Sequence, residues 1–430
     1  MQPRQRARFV PRGSAGFTLM ELLVALAVMA VIIVAALTLL DSTTQMANRQ
    51  ISQVELQQAL RVAQNDMARR LRGIGRGGLP HSSPNRTLPD NGLGLTVLNN
   101  VGAATEIVTG SNVFVEEGTD VLVVRGVFTS PVYQIKSVEE DSLTLDLGAG
   151  TGVVIVPAVT PAGTFNQPLD TLREAIDDGL PEAILMVSAS TPDVFGIAEL
   201  DPTNSFFTAA AASEPAFLTI AFRFDNGTYT DEYSVLSSGD PAPATTDPTF
   251  PAADLSTARV SHLGVLEEYR YYLRTEAGGA PKLSRARVYP GTAAAWAGDA
   301  DNLTVDQVDN VLDLQVAMAF DSTNAGGADG DIFETLDGSS DDWLLNDASD
   351  LASDGTPVSP FDTLLASKDP KLFYLRVTTM ARSQVPDRNH LAREIDHIED
   401  RDYTADPLND DDHRRYVRAF LHTIVDMRNQ

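Results

Sequence analysis

Residues 16–40 read "GFTLMELLVALAVMAVIIVAALTLL". From Phe17 to Leu40 the run holds one charged side chain, Glu21. As a helix rising 1.5 Å per residue it spans about 36 Å, enough for a hydrocarbon core of about 30 Å. Arg4, Arg6, Arg8 and Arg12 precede it with no acid among them, and the first acid behind it is Asp41. The positive-inside rule then puts residues 1–16 in the cytoplasm and the rest across the membrane. A secretory signal has an apolar region of about 7–15 residues followed by a small-x-small cut. This run is longer, and its best such site, Ala25-Leu26-Ala27, lies inside it. A plain signal anchor leaves Glu21 unexplained. A carboxylate at the centre of a spanning helix costs about 2.5–3.5 kcal/mol on insertion scales and less near its end, so such a group is expected to be paired or functional.

The stretch "GFTLMELLVALAVMAVI", Gly16 to Ile32, closely resembles the class III signal of type IV pilins and pseudopilins. In that family a membrane peptidase, the prepilin peptidase, cuts after the glycine on the cytoplasmic side, and the new terminal residue is methylated. The resemblance implies cleavage between Gly16 and Phe17, N-methylation of Phe17, and an assembly role for Glu21. Cleavage creates a cationic amine on Phe17, four residues from Glu21 on the same helix face. That amine can pair with its own Glu21 or with Glu21 of a neighbouring subunit; in the family the second pairing is thought to recruit subunits to the filament base.

No proline or glycine occurs from Phe17 to Arg72, so these residues are expected to form one helix. Leu56, Leu60, Ala63, Met67, Leu71 and Ile74 repeat at helical spacing, giving the second half an apolar stripe. The stripe is expected to pack on the globular domain of the same chain. Thr38 stands where many major pilins carry a proline, which predicts a straighter helix here. "RGIGRGGLPHSSP" ends the helix.

The remainder reads mostly as strands. Short β-rich runs fall at 120–128, 131–138, 141–147, 183–190, 216–224, 267–274, 282–290, 311–320, 372–382 and 417–427, with the last three alternating well. The expected fold class is α+β: a long N-terminal helix, half membrane-spanning and half amphipathic, packed on a large antiparallel β-rich pilin-type domain with long acidic loops. The expected divisions are a cleaved leader at 1–16, a spanning or filament-core half-helix at 17–40 and an amphipathic half-helix at 41–72. A periplasmic or extracellular domain at 73–430 follows, with an acidic loop-rich insert at about 322–368.

The order of these runs also resembles the PilW-like minor pilins. A strand opens on "D-x-L-x-V-R", Asp120 to Arg125; a tyrosine-rich strand "EYRYYLR" leads to "LSRARVY"; a "V-x-x-L-Q-V" strand begins at Val311 and closes in Asp321; and the sequence reaches Arg428-Asn429 near its end. The resemblance implies a minor pilin of a type IV pilus in its initiation or tip complex. Its partners would be other major and minor pilins, a platform protein and assembly machinery in the inner membrane. Two alternatives stand beside it: a minor pseudopilin of type II secretion, and an uncleaved membrane-anchored periplasmic binding protein.

The formal charge is −27, and without the leader arginines 28 basic residues face 59 acidic ones, a net −31. A body that acidic argues against nucleic acid and against anionic lipid as partners. With no cysteine there is no disulfide, thiolate metal site or thiol nucleophile. No G-x-S-x-G, Walker or dinucleotide motif occurs, so the chain is expected not to be an enzyme. Between Arg287 and Lys368 there are sixteen acids and no basic residue. Within that stretch Asp321, Asn324, Asp329, Asp331 and Glu334 form a candidate calcium loop, against the plainer reading of a solvated acidic loop, since the spacing is not that of an EF-hand. His390, Glu394 and His397 have the spacing of one face of a helix, expected to be a polar surface helix rather than a metal site.

Overall fold

The computed structural model describes residues 18–76, 94–102, 105–108, 111–136, 143–146, 151–160, 162–179, 182–188, 195–212, 214–223, 260–275, 279–290, 304–322, 342–345, 370–387 and 390–427. Helix α1 runs unbroken from Leu19 to Leu71. Thr38 sits within it, its hydroxyl bonded back to the carbonyls of Val34 and Ala35 at 3.0 and 2.8 Å, so no missing donor interrupts the ladder there. The helix stops in a glycine-containing turn, where Gly75 takes φ +80°, a conformation that a Cβ disfavours.

The chain divides into two units, Met1–Val54 and Glu55–Gln430. In the first, the described helix residues leave their large apolar side chains exposed, Leu22, Leu26, Met29, Ile33 and Leu37 among them. Among the described residues this is the one helix long and apolar enough to cross a membrane.

The second unit holds the strands, and every strand pairing described is antiparallel. The larger sheet contains β1 (Leu95–Leu98), β2 (Val121–Gly126), β3 (Tyr133–Gln134), β4 (Leu143–Asp146), β5 (Thr151–Pro157), β6 (Ala183–Ser188), β7 (Phe195–Thr208), β8 (Phe217–Arg223), β9 (Val260–Thr275), β10 (Pro281–Val288) and β11 (Thr304–Asp309). Its hub is β9. The first half of that strand pairs with β6 and β3, and the second half with β2 and β10. Gly264 lies in the first half because the chain crosses it closely: a Cβ there would sit 2.6 Å from Cγ2 of Val127.

The smaller sheet has the order β13 (Asp342–Leu345), β12 (Val311–Ser322), β14 (Pro370–Arg382), β17 (Arg418–Asp426). A two-stranded ribbon, β15 (His397–Ile398) and β16 (Arg401–Asp402), and a short helix α3 (Asp411–Arg414) complete the C-terminal part.

The amphipathic stripe packs as its spacing predicts. Leu56, Leu60, Ala63, Met67, Leu71 and Ile74 are all buried, in one core with Leu122 and Val124 of β2, Tyr271 of β9, Val316 of β12, Val377 of β14 and Val425 of β17. The end of α1 therefore lies on both sheets at once. A second core forms where helix α2 (Asp170–Asp177) sets Leu172, Ala175 and Ile176 against Val154, Ile184, Leu200 and Ile220. On the far face of the smaller sheet, Leu312 and Met380 are covered by Ile395, Ile398 and Tyr403.

Ten strands fall where β-rich runs were read, but the run at 131–138 keeps only two residues of strand, Tyr133 and Gln134. The strands β1, β5, β7, β11, β13, β15 and β16 and the helices α2 and α3 lie outside those runs. The expected surface helix around His390, Glu394 and His397 is absent. Residues 390–396 carry no regular structure, and His397 opens β15. The amides of Ala392 and Ile395 donate instead to the carbonyl of Arg414 and the side chain of Asn409, at 2.7 and 3.0 Å. Backbone donors committed that far away cannot serve an i→i−4 ladder, so helical spacing of the side chains has no helix to act on.

Candidate functional site

The start of α1 is built by a four-residue motif, Thr18-Leu19-Met20-Glu21. The Glu21 amide donates to the Thr18 hydroxyl at 3.3 Å, and Oε2 of Glu21 accepts from the Thr18 amide at 2.9 Å and from its hydroxyl at 3.0 Å. This is a reciprocal capping box, which satisfies two amides that the first helical turn leaves without carbonyl partners. Glu21 thus has a local partner before any processing. Its sequence signature, T-x-x-E, stands at residues 18–21. Gly16 and Phe17 lie outside the described residues.

Farther along α1, three polar side chains next to the apolar stripe fix the helix in its seat. Gln64 is buried; its Nε2 donates to Oγ1 of Thr379 at 2.8 Å and to the carbonyls of Leu421 and Val377 at 2.7 and 3.3 Å, and its Oε1 accepts from Thr423. All four partners belong to β14 and β17. Asp66 faces the other sheet. Its Oδ2 accepts from the Tyr271 hydroxyl at 2.7 Å and from Arg285 at 2.9 Å. Burial pushes the Asp66 carboxyl up, but the Tyr271 hydroxyl with Arg70 and Arg285 outweighs it, and the net shift is downward. Burial pulls the Arg70 guanidinium down, and Tyr271, Tyr269 and Asp66 reverse that. Arg70 lies 3.9 Å above the Tyr269 ring, a cation–π contact screened from water.

Beneath this seat the tyrosine-rich strand carries its own buried charges. Glu268 is fully buried between Arg125, at 2.6 Å, and Arg270, at 2.8 Å. Glu267 accepts from the Thr129 amide and hydroxyl at 2.8 and 2.9 Å and from the Tyr269 hydroxyl at 2.9 Å. "EEYRYYLR" is therefore a structural strand whose charges are internally matched, as buried charges require.

The candidate calcium loop is not brought together within the described residues. Asp321 stands at the end of β12, opposite Asp342 of β13 and Lys371 of β14. Asn324, Asp329, Asp331 and Glu334 lie outside the described residues. Among the described residues no group of three His, Cys, Asp or Glu side chains could hold a metal ion.

Residues 11–37 match the prokaryotic N-terminal methylation motif. No curated protein matches the chain. Among solved structures, a type IV-like pilin from Thermus thermophilus is similar at 11% identity over 60% of this chain and 92% of that one, with a TM-score of 0.18. An overlap that slight leaves the methylation motif to carry the assignment. With that motif leading into one long apolar helix, and with an antiparallel sheet-rich domain behind it, the chain is type IV prepilin-like.

Proposed function

We propose that the chain is a minor pilin of a type IV pilus, of the PilW-like class. Prepilin peptidase cuts between Gly16 and Phe17, Phe17 is methylated, and residues 17–40 hold the protein in the inner membrane until it joins a filament. The body then lies on the periplasmic side and reaches the cell surface as part of the pilus. The role is structural, not enzymatic: the chain supports assembly beside other major and minor pilins, drawn in by the platform protein and assembly machinery.

The observation that carries this reading is the methylation motif at 11–37, with Glu21 inside it on the first turn of α1. A carboxylate held at the helix start is positioned to exchange its Thr18 partner for an amine, its own or a neighbour's. Mass spectrometry of the mature N-terminus tests the reading, with N-methyl-Phe17 as the expected result and an intact Met1 as the one that refutes it. A deletion strain separates the two machines that use such subunits. Loss of twitching with normal secretion fits the pilus, and the reverse result assigns the chain to type II secretion.

A further inference from the structure

In a chain this acidic, one corner of the smaller sheet collects arginines. Arg382 of β14 and Arg418 of β17 are register partners, so both side chains leave the face that carries Met380. Like charges directly opposite each other destabilise a strand pair. Nη2 of Arg418 donates to the Leu408 carbonyl, while its Nε and Nη1 are enclosed without a hydrogen-bond partner. The Arg382 guanidinium lies 4.6 Å from the centre of the Tyr416 ring. Among the described residues that ring is its one contact, and no hydrogen bond or ion pair reaches it.

The surrounding charges do not balance the pair. Arg414 adds a third guanidinium, itself committed to Glu394 at 2.7 Å and to the Ala392 carbonyl at 2.8 Å. Asp406 acts on Arg418 but is shared with Arg401 at 3.4 Å. Burial pulls the Arg418 guanidinium down, Arg414 and Arg382 pull the same way, and Asp406 and Tyr403 do not offset them. The border of the pair is apolar. Phe420 and Ile424, on the same face of β17, are 43% and 61% exposed. β17 is the last strand in the described order of its sheet.

We propose that Arg382 and Arg418 form a binding site for a carboxylate carried by a peptide segment of a partner protein. The carboxylate lies on the open Nη edge of Arg382, and apolar residues of the same segment cover Phe420 and Ile424. A planar guanidinium matches a carboxylate with two parallel hydrogen bonds. Tyr416 occupies the face of Arg382 and leaves that edge to the ligand. Arg418 stands beside it as a second positive charge. Phe420 and Ile424 offer nothing to a free phosphate, and a body of net charge −27 repels a chain of phosphates.

The test is calorimetric titration of the full chain in detergent, at fixed ionic strength, with the peptide acetyl-Leu-Glu-Leu-Glu-amide and its counterpart with Gln for Glu. The Glu peptide should bind, and the Gln peptide should bind about tenfold more weakly or worse. Arg382→Gln should weaken the Glu peptide by a similar factor. Arg415→Gln removes the same charge from an exposed place nearby and should leave the affinity unchanged. Equal binding of the two peptides, or equal losses in the two variants, would overturn the site. So would displacement of the peptide by inorganic phosphate or a single-stranded oligonucleotide at equal ionic strength. If Arg382→Gln does not fold, the wild type decides through modification by phenylglyoxal, read by mass spectrometry. Saturating Glu peptide should slow modification of Arg382 relative to Arg415, and an unchanged ratio refutes the proposal.

Discussion

The hydroxyl of Tyr271, in the middle of β9, donates to Asp66 of helix α1 across 2.7 Å. Two residues before Asp66, Gln64 binds Thr379 of the other sheet across 2.8 Å. The helix is thus gripped from two sides within less than one turn, and its apolar stripe fills the space between the grips.

Replacing Asp66 by Asn should weaken the first grip. The Tyr271 hydroxyl and the Arg285 guanidinium lose a charged acceptor in a half-buried place, a loss of about 1–3 kcal/mol. The pH dependence gives a second readout. The folded pKa of Asp66 lies below its unfolded value of 3.8, so its contribution is present above that value and fades as pH falls through the folded pKa. Urea unfolding at pH 7 and below pH 4 should show a clear deficit for Asp66→Asn at the higher pH and a smaller one at the lower. An equal deficit at both would mean that the charge of Asp66 does not matter.

Gly264 tests the crossing of the chain over β9. A Cβ at that position meets Val127 Cγ2 at 2.6 Å and Cγ1 at 2.9 Å, so Gly264→Ala should cost about 1–3 kcal/mol through overpacking. In a Val127→Ala background the obstructing methyl groups are gone and the penalty should shrink by more than half. Penalties that simply add would place the cause elsewhere, since contacting residues are expected to couple.

Thr18 tests the capping box, since its hydroxyl both receives the Glu21 amide and donates to the Glu21 carboxylate. Thr18→Ala removes the hydroxyl that receives the Glu21 amide and should cost the helix start about 1 kcal/mol, or about fivefold in first-turn amide exchange. Thr18→Ser should restore protection. If Thr18→Ala exchanges at the wild-type rate in detergent, the box contributes nothing to helix initiation.

Much of this architecture is legible in the residues because it rests on period. The stripe from Leu56 to Ile74 repeats at helical spacing and is buried throughout, and the alternation in β12, β14 and β17 reflects one face turned to α1. What period cannot convey is where a polar side chain finds its partner. Gln64 and Asp66 look like members of a solvated face, and nothing local in the sequence points to Thr379 or Tyr271, hundreds of residues away. β9 is longer than its alternating part because Leu263 to Tyr269 are buried on both faces, which erases the two-residue rhythm. Glu21 is the opposite case, because its partner Thr18 lies three residues away and T-x-x-E is a local signal.

The seat of α1 also sets an order of events. Gln64 takes one of its partners, the carbonyl of Leu421, from β17, so a helix made near the start of the chain waits for a strand made near its end. During synthesis the apolar stripe from Leu56 to Ile74 has no complete surface to lie on until some 350 further residues have been made (421 less 74 in the numbering). Such distant pairings close slowly and leave sticky surface uncovered meanwhile. Until β17 exists the stripe stays open, which makes Leu56 to Ile74 the part of the chain most exposed to mispairing while folding is incomplete.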